Sequence, residues 1–319
     1  MLTRRKFMTL TASGLALTAL PARSAELATY GGPAFGSYWR LSLAQPFAEA
    51  EISRQVNQVI RETDALFSPY LATSALSVVN NQDGTEWIAL LPALEALLTE
   101  GLTLAARSDG AFDPTVGPRV ARYGFGPIEG VAGNYQELTL APGKLRKARA
   151  GLTLDLCGIA KGHALDLMRT ELAAMGVTDY MFDLGGEVTS DGLHPDGRPW
   201  QVGVETPDER GLAHLLDLKG HTIATSGLGV QAYKSGERTF GHIINPFSDG
   251  PNPSRTLSVS VISANAAFAD GWATALMAVA EEQAIAMAER ESLNALFLLR
   301  DGDKVQPVYT GDFTRFVIA

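Results

Sequence analysis

Leu154-Asp-Leu-Cys-Gly-Ile-Ala-Lys-Gly-His-Ala-Leu-Asp166 opens as a short apolar strand over residues 152–156 and breaks at Gly158. It then runs on at helical spacing, with Leu165, Met168 and Leu172 on one face. Amide groups at the start of such a helix point outward, and the helix dipole adds positive potential there. Lys161 puts a formal charge at the same place, and Gly162 lets a second backbone come close. By itself the segment reads first as an ordinary strand-to-helix turn with a solvated lysine, because Gly-Ile-Ala-Lys-Gly lacks the spacing of a Walker loop. An anion site is the second reading, and the rest of the chain decides between them.

Working outward, 319 residues can build a sizeable core, and an apolar fraction of 46% with 19% charged residues fits a folded chain. A net charge of −9 argues against general nucleic-acid binding. The single cysteine, Cys157, excludes an internal disulfide and reads as a small buried apolar residue. The five histidines, at 163, 194, 214, 221 and 242, have no zinc-type spacing. At the amino end, Thr3-Arg4-Arg5-Lys6-Phe7 and a short apolar run over residues 10–20 resemble a twin-arginine export signal, with cleavage after Ser24 or Ala25. That divides the chain into a signal over residues 1–25 and a mature domain over residues 26–319, expected in the periplasm. No cysteine follows the apolar run to accept a lipid.

Alternation predicts strands over residues 35–43, 180–184, 201–205, 215–218, 222–225, 257–263, 295–299, 304–309 and 313–318. The 3.6-residue period predicts helices over residues 48–66, 93–106 and 264–288, with a short one capped by Ser74. The basic run Lys144, Arg146, Lys147, Arg149 reads as a solvated turn. Strands and helices mix without strict alternation, which argues for an α+β, or mixed α/β, fold rather than a doubly wound sheet. Asp270 and Thr274 stand four apart on a predicted helix, so their oxygens face one way. Oxygen ligands of that kind suit a hard cation such as magnesium.

Eight motifs occur in order over most of the mature chain. They are Phe35-Gly-Ser37, Asp64-x-x-Phe-Ser-x-Tyr70, Asp109-Gly-Ala-Phe-Asp-Pro-Thr-Val-Gly-Pro118, Asp155 to Asp166, Leu184-Gly-Gly-Glu187, Thr225-Ser-Gly227, His242-Ile-Ile-Asn-Pro246 and Ala269-Asp-Gly-Trp-Ala-Thr274. Together they resemble the ApbE family of FAD-dependent FMN transferases. The resemblance implies two intertwined α+β lobes around a flavin cleft, FAD as donor, Mg2+, and transfer of FMN to a Thr or Ser hydroxyl of a client flavoprotein with release of AMP. It implies that Phe35, Tyr70, Ala111, Phe112, Asp113, Lys161, Asp166 and Ile244 lie at FAD. The Ala160 carbonyl, Asp270 and Thr274 are implied at the metal, and His242 as the catalytic histidine. The export signal without a lipid anchor resembles the branch that serves nitrous-oxide reductase maturation, which implies a membrane-bound client. An FAD pyrophosphatase and a non-catalytic FAD-binding protein are the alternative readings. The retained metal pair and His242 favour an enzyme, since a binder needs neither.

Overall fold

The computed structural model describes residues 27–207, 211–228, 232–235, 238–248, 250 and 254–318, so the expected export signal lies outside the described residues. The described chain opens with strands β1 (Ala28–Ala34) and β2 (Ser37–Leu43), joined by the two-residue turn Phe35-Gly36. Both turn residues have positive φ, 49° and 74°, as a type I′ hairpin requires. Phe35 is therefore the hairpin tip and not the first residue of a strand. A phenylalanine holds that conformation only where its surroundings impose it.

Helices α1 (Glu49–Phe67) and α2 (Ala75–Asn80) follow, and Ser74 caps the second by accepting from Ser77 N at 3.0 Å. Next come β3 (Trp87–Ala89), α3 (Pro92–Arg107), α4 (Gly117–Arg122), β4 (Leu138–Ala141) and β5 (Lys144–Lys147). Helix α5 (Cys157–Ala174) leads into β6 (Tyr180–Leu184), β7 (Glu187–Asp191), β8 (Val202–Glu205), β9 (Leu212–Leu216) and β10 (Thr222–Gly227). The chain closes with β11 (Ala232–Ser235), β12 (Arg238–Gly241), β13 (Thr256–Ser263), α6 (Ala266–Ala278), α7 (Glu281–Arg290), β14 (Asn294–Asp301) and β15 (Lys304–Thr310).

Eight strands form one antiparallel sheet in the order β1-β2-β6-β7-β10-β13-β14-β15. Period-two alternation sorts its side chains: Ala295, Phe297 and Leu299 join the core under the helices, while Leu296 and Leu298 join the core under the β8–β9 hairpin. The helical side holds two cores, and α5 belongs to both. Its Ile159 and Ala160 pack with α3, α6 and α7, whereas Ala164, Leu165, Met168 and Leu172 pack with α1, β2 and β6. This is the α+β architecture, and it puts the start of α5 where the two cores meet.

Five local expectations need correction. Residues 152–156 are extended but join no ladder. Leu152 bridges Val131, Asn80 exchanges two hydrogen bonds with the Leu154 backbone at 2.7 and 2.8 Å, and Asp155 N donates to Pro114 O at 2.7 Å. Side chains and loops meet the backbone's demand that a strand would have met. The single helix expected over residues 264–288 breaks at Val279, which is extended, and restarts at Glu281, whose carboxylate turns to Arg255. The signal was Glu281-Glu282, a pair of acids suited to a new helix start. Residues 313–316 form a 3-10 turn rather than a strand. The basic run forms the β4–β5 hairpin, with Lys147 fully buried and donating to Val79 O and Gln82 O at 2.8 and 3.0 Å. Cys157 is exposed.

Candidate active site

The site grows from the crossing of α5 and α6. Along α5, Gly158 meets Thr274, Gly162 meets Asp270, and Asp166 meets Ala266, so the two helices run antiparallel. Gly158 and Gly162 are one turn apart on the same face, and neither has a Cβ to hold α6 away. A Cβ on Gly162 would lie 2.3 Å from Ala266 O, and one on Gly158 would lie 3.0 Å from Thr274 Cγ2. The approach lets Gly162 N donate to Asp270 Oδ2 at 2.9 Å and Thr274 Oγ1 donate to Gly158 O at 3.4 Å. A carboxylate, a hydroxyl and a backbone carbonyl therefore share one crossing. The carbonyl that Thr274 meets is that of Gly158, and Ala160, whose carbonyl is expected at the metal, lies buried two residues on in the same first turn of α5.

Asp166, expected at FAD, joins the two helices in this structure. Its two oxygens accept from Ala266 N at 3.0 and 2.9 Å and from Ala267 N at 3.0 Å, which caps α6. It lies about 12 Å up α5 from Gly158. Asp166 thus sets the register of α6, and through it the place of Asp270 and Thr274.

Lys161 reaches Glu187 Oε1 at 2.6 Å. Glu187 is the first residue of β7, delivered by the Gly185-Gly186 turn, both of whose φ angles are positive. The lysine side chain remains 34% exposed while Glu187 is 3% exposed, so the pair spans the edge of the buried crossing with the carboxylate on its inner side. Two carboxylates share this one ammonium. Burial pushes the Asp270 carboxyl up to about 8, with the charge of Glu187 adding to the effect and Lys161 and the Gly162 N–H opposing it. Burial also raises Glu187, against the pull of Lys161. Burial pulls Lys161 down, but Glu187 and Asp270 outweigh it, and the ammonium is held charged.

Cys157, the first residue of α5, is exposed, yet protein atoms crowd its sulfur. Burial, then Asp155 and Asp270, push its pKa well up against Lys161, so the thiol stays protonated at neutral pH. Asp155 accepts from Cys157 N at 2.9 Å and closes the start of α5.

The loop from Ser108 to Pro118 buttresses this end of α5. Ala111 and Phe112 are buried, and the Phe112 ring stands behind Gly158. Asp113 accepts from Thr115 N, Thr115 Oγ1 and Tyr135 N at 2.8, 2.7 and 3.1 Å, which locks the turn. Tyr70 is 71% exposed, lies within electrostatic reach of Cys157 and Asp155, and its hydroxyl meets Phe125 O at 3.5 Å. The Phe125 ring in turn meets the His242 ring edge-on, with centroids 6.3 Å apart. Ile244, two residues on, is buried. Phe35 is half-buried at its hairpin tip and packs against the core of β2, β6 and α1.

The structure thus brings Lys161, Asp270 and Thr274 into one cluster, sets Tyr70 and His242 about Phe125, and gives Asp166, Ala111, Phe112 and Asp113 supporting positions. Sequence reading missed Glu187, Gly158, Asp155 and Phe125 as site residues. Only the polar residue closing Leu184-Gly-Gly-Glu187 and the glycine pair one turn apart could have flagged the first two.

The ApbE family model matches residues 35–297. A relative from Vibrio cholerae serotype O1, named FAD:protein FMN transferase, is 29% identical over 92% of this chain and 94% of its own length. One of the same name from Escherichia coli K12 is 28% identical over 92% of this chain and 90% of its own length. The solved structure of the flavin transferase ApbE from Vibrio cholerae superposes with a TM-score of 0.83, covering 92% of this chain and 99% of that one at 29% identity.

Proposed function

This chain belongs to the ApbE family, and on that premise we propose that it is an FAD:protein FMN transferase. In this reading it moves FMN from FAD to a Thr or Ser hydroxyl of a client flavoprotein and releases AMP. The observation that carries it is the α5–α6 crossing, where a buried carboxylate, a hydroxyl and a carbonyl lie beside a half-exposed lysine. Those oxygens fit Mg2+. All are hard donors, and a cation would relieve a carboxyl that burial holds up to about 8. Asp270, Thr274 and a carbonyl from the first turn of α5, that of Ala160 as the family resemblance implies, would hold the ion, which would supply charge neutralisation at the diphosphate.

The remaining steps belong to the chain's own side chains. Lys161 pairs with a phosphate oxygen, and Tyr70 offers an exposed ring to the flavin. His242 takes the hydroxyl proton as that oxygen bonds to the FMN phosphorus. The anhydride P–O bond to AMP breaks, and AMP leaves with the electron pair. The reaction draws on the FAD diphosphate alone, which suits a compartment without ATP.

Incubation with FAD and Mg2+, with and without an acceptor domain, tests the proposal. AMP should form only with the acceptor, whose mass should rise by one FMN. AMP without acceptor would mark a hydrolase, and bound FAD with no AMP a binder. His242→Ala should slow transfer by roughly 10²–10⁴-fold. An unchanged rate would return the histidine to a structural role. The place of work is proposed to be the periplasm, reached by the twin-arginine route, with a membrane-bound client as in nitrous-oxide reductase maturation. Replacing Arg4 and Arg5 together by lysine should retain the precursor in the cytoplasm; normal export of that variant would refute the route.

A further inference from the structure

Glu187 is an uneconomical residue as far as folding goes. Its side chain is 3% exposed, and Oε1 takes Lys161 Nζ at 2.6 Å. Oε2 is buried with no hydrogen-bond partner among the described residues. A carboxylate oxygen left that way costs stability, and a buried ion pair often does no better than an apolar replacement. Its position supplies a reason for it. Lys161 is drawn to two carboxylates, Glu187 and Asp270, but it bonds only the first. An ammonium seated on Asp270 would occupy the place of a metal cation. Seated on Glu187, it leaves Asp270 with the Gly162 N–H on Oδ2 and keeps a third of its own side chain open.

We propose that Glu187 is a positioning residue that holds the Lys161 ammonium off Asp270, keeping Asp270 available to a divalent cation and Lys161 aimed at an anionic phosphate ligand. The proposal rests on the reading of Asp270 as a metal ligand given above. Glu187 touches neither ligand and acts through Lys161. The unmet Oε2 is the consequence of burying a carboxylate whose task needs only one oxygen.

Calorimetric titration of the metal-free protein with Mg2+ tests this in a double-mutant cycle of Glu187→Gln and Lys161→Met. In the wild-type background, Glu187→Gln should weaken Mg2+ binding at least about tenfold, because Lys161 then falls onto Asp270. In the Lys161→Met background the same substitution should change affinity by no more than about threefold, although it removes the same negative charge. Glu187→Asp, charged but shorter by about 1.5 Å, should fall between them and covers a failure of the glutamine variant to fold. Equal losses in both backgrounds would mean that Glu187 acts by charge alone and would overturn the proposal. So would wild-type affinity in Glu187→Gln. A wild-type protein that binds no Mg2+ would instead sink the metal reading of Asp270 itself, and the proposal with it.

Discussion

Asp270→Asn should reduce FMN transfer at least about 10³-fold and yet make the metal-free protein more stable than wild type at pH 8. The two effects have one cause. In the folded chain burial raises the Asp270 carboxyl to about 8, while in the unfolded chain it titrates near 3.9. Between those values the fold holds a proton that the unfolded chain has released, so stability falls as pH rises and the loss is complete above about 8. Asparagine has nearly the same shape, its amide oxygen can still accept from Gly162 N, and it carries no such penalty. The melting-temperature difference, variant minus wild type, should therefore widen from about pH 5 to pH 8. Mg2+ should reverse it by stabilising only the wild type, most strongly toward pH 8, since binding to the folded state alone raises its stability. Melting curves across pH with and without Mg2+ read both arms. Parallel pH slopes, equal stabilisation of the variant by Mg2+, or undiminished transfer would each contradict the assignment of Asp270.

Gly162→Ala should be the more damaging of the two glycine-to-alanine changes at the α5–α6 crossing. The added Cβ would lie 2.3 Å from Ala266 O and 2.7 Å from both the Ala266 carbonyl carbon and Ala267 Cα. All three are backbone atoms, so no rotamer change relieves the contact, and α6 must shift. Overpacking of this kind costs about 1–3 kcal/mol or more. A shift near 1 Å also separates Asp270 from Gly162 N and Thr274 from Gly158, which should lower transfer by about 10²-fold even in protein that still folds. Gly158→Ala is the comparison. Its Cβ would meet the Thr274 side chain at 3.0 and 3.1 Å and the Phe112 ring at 3.3 Å. Side chains can yield by those few tenths, so the stability loss should be smaller, though Thr274 would still be displaced. Thermal melts and transfer rates on the two variants decide the matter. Gly162→Ala with wild-type stability and rate would mean that the helices do not cross as closely as the structure has them.

The sequence by itself determined the α+β class, the family, and the elements whose periodicity is written in consecutive residues. Helices α1 and α3, strands β6, β13 and β14, and the Ser74 cap all stand within a few residues of where local pattern puts them. Asp270 and Thr274 were legible because four residues on a helix is a local spacing, and Gly162 because a missing Cβ is a local fact. What only tertiary structure decided is which distant partner each polar group meets. Asp166 reads the same whether it faces a ligand or caps a helix 100 residues away. Lys147 reads as solvated until two carbonyls bury it. Residues 152–156 read as a strand because the pattern is apolar, but a strand needs a neighbour, and theirs is an asparagine side chain. Glu187 was a closing residue of a glycine turn until folding laid it behind Lys161. Hydrophobic period is carried by neighbours in the chain, whereas hydrogen-bond and charge pairing are settled by neighbours in space.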